Sequence, residues 1–98
     1  MIRSIRTYTA QPGKTQQLID TLKEMQAYAR TQDVAMRIFV EPWGHGSRVR
    51  LSTDHEDAGA GQEWLQRFLS VERAREARDR IEYLIEGHQD ASILLEVD

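Results

Sequence analysis

From Ile2 to Thr9 the β-formers Ile, Thr and Tyr alternate with polar residues, which predicts a strand. Pro12 fixes φ and lacks an amide donor, so it suits a helix start and not a continuing strand. The period then changes. Leu18, Leu22, Met25 and Ala29 recur at helical spacing, with Ile19 widening the stripe and Gln16, Gln17, Asp20, Lys23 and Glu24 on the wet face, which predicts a helix from about Lys14 to Thr31. Val34 to Glu41 reads as a second strand, apolar at Val34, Met36, Ile38 and Val40, with Ala35, Arg37, Phe39 and Glu41 on its other side. Pro42-Trp43-Gly44-His45-Gly46 is a turn by composition. Ser47 to Thr53 then forms a third strand in which Val49, Leu51 and Thr53 oppose Arg48, Arg50 and Ser52, completing a hairpin.

Asp54-His55-Glu56-Asp57 ends that strand with acids, which favour the positive end of a following helix. Ala58-Gly59-Ala60-Gly61 is a poor helix interior, so regular helix is expected from about Ala60 or Gly61. Trp64, Leu65, Phe68 and Leu69 form an apolar patch. Ser70 is a candidate cap for a new helix, yet the stripe Ala74, Ala77, Ile81, Leu84 and Ile85 continues without a phase break, so one bent helix and two helices both fit. Gly87 stops the run, and Ser92 to Val97 is the last strand. The order is that of an α+β, ferredoxin-like βαββαβ arrangement over residues 1–98 as a single domain, with the helices covering one face of an antiparallel sheet.

The 98 residues leave no room for a second core. A net charge of −3 argues against a general nucleic-acid binder, which needs a clustered positive surface. The absence of cysteine excludes disulfides, thiolate metal sites and cysteine nucleophiles. No apolar run approaches membrane-spanning length and the amino terminus reads at once as a strand, so no membrane segment or signal peptide is expected and a cytoplasmic protein is the default.

The block from Ile5 to Lys14, with Arg6, Thr7, Tyr8 and Thr9 ahead of Pro12-Gly13-Lys14, resembles the start of NIPSNAP-type domains. Those domains belong to the dimeric α/β-barrel superfamily, alongside the antibiotic-biosynthesis monooxygenases. The resemblance implies a homodimer in which two sheet faces enclose a lumen. It does not imply a reaction, because the superfamily holds oxygenases, isomerases and haem-handling proteins.

Alternation assigns Ile5, Val34, Met36, Ile38, Val40, Val49, Leu51, Ile93, Leu95 and Val97 to the helix-facing layer. The opposite face then carries Ile2, Ser4, Arg6 and Tyr8 from the first strand, Arg37 and Phe39 from the second, Arg48, Arg50 and Ser52 from the third, and Leu94 and Glu96 from the last. On this facing Arg6, Tyr8, Arg37 and Arg50 converge in the lumen, because unpaired arginines would be costly to bury under helices. Arginine presents planar bidentate donors, so the group would recognise a carboxylate or enolate of a small organic anion, with Tyr8 donating a hydrogen bond. The competing reading pairs Arg6, Arg37 and Arg50 with Glu41, Asp54 and Glu96 across the sheet or the dimer interface.

Other chemistry is sparse. His45, His55 and His88 lack the spacing of a helical zinc motif, so neither a metal nor a cofactor is expected, and His45 is a turn residue before it is a base or haem ligand. Trp64 lies on the helical stripe and belongs to the core, whereas Trp43 needs something to pack against: the partner subunit or its own first helix before the mouth of a ligand pocket. Gly59-Ala60-Gly61 lacks the lysine of a phosphate loop, and no nucleophile elbow is present. Arg73, Arg75, Arg78 and Arg80 alternate with Glu72, Glu76, Asp79 and Glu82 as a solvated, ion-paired face. Two functions remain: a binding module for a small organic ligand, and a cofactor-independent monooxygenase or isomerase for an aromatic or polyketide-like substrate.

Overall fold

The structure is a computed structural model that describes residues 1–41 and 47–97. Its elements run β1 (Ile2–Thr9), α1 (Thr15–Thr31), β2 (Met36–Val40), β3 (Arg48–His55), α2 (Ala58–Leu69), α3 (Glu72–Leu84) and β4 (Asp90–Leu95). The strands form one antiparallel sheet in the order β2-β3-β1-β4, so β1 lies between β3 and β4, the arrangement expected of a ferredoxin-like α+β fold.

The junction from β1 to α1 is made by Pro12 and Gly13. Gly13 sits at φ +78°, a left-handed conformation that costs a residue with a Cβ roughly 1–2 kcal/mol, and Lys14 follows as the helix N-cap. α1 then buries Leu18, Leu22, Met25 and Ala29, the stripe read from its period. It closes through Val34 N–H to Ala29 C=O and Asp33 N–H to Arg30 C=O, with Asp33 in the left-handed region at φ 57°. This is a Schellman-type end, with Asp in the place usually held by Gly or Asn.

Two helices follow β3. α2 begins at Ala58, earlier than its glycines suggest, because the Asp57 side chain accepts the Ala60 amide at 2.8 Å and caps the first turn. Ser70 does not cap α3. Its hydroxyl donates to Arg67 C=O at 2.6 Å and so closes α2, while Val71 stands at the α3 N-terminus with no side-chain cap. The apolar stripe crosses this break in phase because Ala74, Ala77 and Ile81 still face the same core as Trp64 and Phe68. α1 and α2 are joined by aromatic contacts: between ring centroids Tyr28 lies 6.0 Å from Trp64, stacked on it, and 5.8 Å from Phe68, tilted against it. Arg80 of α3 is ion-paired with Glu24 of α1.

The register corrects the facing expected for β1. Tyr8 pairs with Val49, Arg6 with Leu51 and Ser4 with Thr53, while Met36 and Ile38 face Thr53 and Leu51 from β2. Tyr8, Val49, Leu51 and Met36 are buried in one cluster with Leu18 and Leu22, so this is the helix side. Ile2, Ser4, Arg6 and Tyr8 therefore lie under the helices, and Ile5 shares the outer face with Arg3, Thr7, Arg37, Phe39, Arg48, Arg50 and Leu94. The facing of β2, β3 and β4 is as their alternation indicates. The reason is bulk: Ile2 and Tyr8 share one parity of β1, and burying both outweighs burying Ile5 alone.

Candidate functional site

Between the helix side of the sheet and α2 and α3 lies a cavity of about 950 Å³. Its floor is β1 and β3, contributing Ile2, Ser4, Arg6, Tyr8, Leu51, Thr53 and His55. Its roof is Trp64, Leu65, Phe68 and Leu69 from α2 with Ile81 from α3, and Met25 and Met36 close the α1 end. Toward β4 it stays open, because no helix covers that strand: Ile93 and Leu95 point to the helix side yet remain 71% and 72% exposed. Volume, concavity and a mainly apolar wall with few polar groups are the usual marks of a small-molecule site.

The polar groups form a line along the floor. Tyr8 and Arg6 come from β1, two residues apart and so on one face. Neither side chain takes part in a hydrogen bond or ion pair among the described residues, and Arg6 is only half-buried. Burial pushes the Tyr8 phenol above its ordinary value, the Arg6 charge working against it, so Tyr8 is a neutral donor at physiological pH. The cost anticipated for an arginine under helices does not arise, because Arg6 faces an open cavity and not a packed core.

Farther along, His55 Nε2 and Thr53 Oγ1 are 3.0 Å apart, and both residues line the cavity. Burial lowers the His55 pKa, with the adjacent Asp54 charge opposing, so its ring is neutral at physiological pH. α2 passes close over it: a Cβ on Gly61 would stand 3.4 Å from His55 Cδ2 and 3.5 Å from Ile2 Cδ1. The acidic run Asp54-His55-Glu56-Asp57 marks a strand end at Thr53, yet β3 continues to His55. Extending the alternation Leu51, Thr53, His55 by one step puts His55 beside Thr53 on the helix side.

The four residues singled out from the sequence are thus divided. Arg6 and Tyr8 line the cavity, and Arg37 and Arg50 lie on the other face of the sheet. There Arg50 pairs with Glu41 at 2.8 Å, with Arg48 at 3.9 Å from the same carboxylate, and Arg3 pairs with Asp54 at 2.7 Å. The cross-strand ion-pair reading therefore holds for Arg50. Hydrogen bonding from Arg3 keeps the Asp54 carboxyl below its ordinary range. Trp64 is buried as expected, whereas Trp43 and His45 lie outside the described residues. Among the described residues no group of three or more His, Asp and Glu side chains comes together to hold a metal, and no helix is long and apolar enough to cross a membrane.

No family model and no curated protein matches the chain. Solved structures match it in shape. A NIPSNAP domain protein from Burkholderia xenovorans superposes with a TM-score of 0.82 over 99% of this chain and 95% of its own, at 19% identity. A NIPSNAP family protein from Agrobacterium tumefaciens gives 0.82 over 99% of this chain and 86% of its own, at 23% identity. A structure described as an antibiotic biosynthesis monooxygenase gives 0.80 over the full length of both chains, at 15% identity. What is shared at such identities is the fold. The neighbours found by shape are the two groups to which the opening residues point.

Proposed function

We propose that this chain is a small-ligand-binding protein of the NIPSNAP and antibiotic-biosynthesis-monooxygenase fold group, acting as a homodimer and holding an organic anion in the cavity between its sheet and helices. The observation that carries the reading is a cationic group, Arg6, with no counter-ion among the described residues, beside the neutral Tyr8 phenol in a concave and largely apolar space. Such a pair offers bidentate donors and one further hydrogen bond to a carboxylate or enolate. The dimer reading rests on the outer face, where Phe39 and Leu94 are 50% and 51% exposed among paired charges. A face-to-face pairing would cover them and bury more than about 1,200 Å² in total. Arg37 and Arg50 then belong to the dimer contact and not to the ligand. Calorimetric titration with small aromatic carboxylates tests the ligand: saturable binding that Arg6→Ala weakens by about tenfold or more is expected, and no saturable binding by the wild type would end the reading.

A second reading, turnover without a cofactor, is favoured by one feature. A neutral imidazole, His55, opens into the cavity beside Thr53 and supplies a proton acceptor for an enolisable aromatic or polyketide-like substrate. Oxygen uptake with a hydroquinone, lost in His55→Gln, is its test.

A further inference from the structure

The polar groups of the cavity floor are not gathered at one end. In the register of β1 with β3, Arg6 stands beside Leu51, Ser4 beside Thr53 and Ile2 beside His55. Arg6 and the His55 row are four strand residues apart, or roughly 13 Å, with the Thr53 row about midway. The two positions differ in character. Arg6 is a permanent cation with no ion pair among the described residues. Thr53 and His55 form a neutral pair at 3.0 Å, able to donate to and accept from a third group but without charge to hold an anion. The roof above them, Trp64, Leu65 and Phe68, is apolar. α2 passes over the His55 ring at Gly61, so the pair lies under a helix. The remaining charges in the lining are at the rim: Glu82 is exposed, and Arg78 is exposed and 3.8 Å from Asp79.

Resting on the ligand-binding reading above, we infer that the cavity takes an elongated molecule with two polar ends. A carboxylate lies on Arg6 and Tyr8, and a hydroxyl or carbonyl about ten ångströms away lies on the Thr53–His55 pair, joined by an apolar body. A medium-chain hydroxy or oxo acid has this form. The distal hydroxyl is the discriminating group. Placed against an apolar wall with no partner it weakens binding by the cost of its desolvation. Bonded to the pair it strengthens binding by about one net hydrogen bond, or about tenfold. The sign of its effect therefore reports whether the second pole exists.

The test is calorimetry with decanoate and with decanoate hydroxylated at its far carbon, on wild type, His55→Phe and Thr53→Val, with circular dichroism to confirm folding. The hydroxylated acid is expected to bind the wild type about tenfold more tightly. Either substitution should erase that margin. The corresponding hexanoate pair, too short to span the poles, should show no margin. Equal binding of the two decanoates by the wild type overturns the two-ended ligand, as does a margin that survives Thr53→Val, which keeps the side chain's shape. Binding of benzoate without either decanoate also overturns it and leaves the ligand-binding reading intact. Binding of none of these acids removes both.

Discussion

The two faces of the sheet use arginine in opposite ways. The outer face carries Arg3, Arg37, Arg48 and Arg50, of which Arg3 reaches Asp54 and both Arg48 and Arg50 reach Glu41. Those side chains remain 40–45% exposed, so each pair is screened by water and adds little to stability. The helix side carries one arginine, Arg6, with no ion pair among the described residues and an apolar roof over it. A charge satisfied by a neighbour on an open surface serves the sheet. A charge left without a counter-ion in a concavity is available to a ligand. The difference also explains why a face rich in arginine is a poor guide to a site: number matters less than whether the acids stand next to them.

The comparison breaks most visibly in the core layer. Leu22→Ala removes a side chain with no exposure from under the helix side and is expected to cost about 2–5 kcal/mol in urea denaturation. Thr7→Ala, on the outer face, should stay within about 0.5 kcal/mol. A cost for Thr7→Ala comparable to that of Leu22→Ala would break the contrast between a packed helix side and an outer face of paired charges. Next in size is ligand affinity. Arg6→Ala should weaken carboxylate binding by about 1.5–3 kcal/mol, the worth of a charged hydrogen bond, whereas Arg37→Ala should leave it unchanged. An equal loss for both variants would mean that the site joins the two faces, contrary to the register. For the outer face, Phe39→Asp should weaken the proposed dimer by about tenfold or more when followed by light scattering, without loss of folded structure. A wild type that is monomeric at micromolar concentration removes that part of the proposal.

Smaller effects sharpen the picture. Gly13→Ala meets no atom within 4 Å, so its whole cost is conformational, about 1 kcal/mol by thermal unfolding. The pH dependence of stability should distinguish the faces through His55 and Asp54. His55 has a lowered pKa in the folded state, so between that value and the ordinary 6.5 the unfolded chain binds more protons. Its contribution is complete above 6.5 and is lost as pH falls through the folded value. His55→Gln should flatten that part of the profile. Asp54, held low by Arg3, contributes fully above its ordinary 3.8 and loses that contribution at lower pH, as its folded value is passed. Arg3→Ala should therefore lower stability above pH 3.8 and flatten the acid limb of the curve, leaving the acid extreme unchanged.

What the sequence determined by itself was the set of elements and most of the core. The helical period of Leu18, Leu22, Met25 and Ala29, the alternation through Met36–Val40 and Val49–Leu51, and the Pro12-Gly13 junction all report local backbone geometry, which repeats along the chain and can be read there. Caps were harder, because Asp57 overrode the glycines behind it and Ser70 bonded backward and not forward. The facing of β1 was decided by the tertiary structure. Its two parities, Ile2-Ser4-Arg6-Tyr8 and Arg3-Ile5-Thr7-Thr9, each hold an isoleucine and an arginine, so alternation alone balances them. Pairing Tyr8 with Val49 and Arg6 with Leu51 breaks the balance by setting the bulkier parity on the core, and a one-residue step in register moves every side chain to the other face. That step put Arg6 into a cavity and left Arg37 and Arg50 outside it. A cavity is a property of how far α2 and α3 stand from the sheet, and no local period encodes that distance.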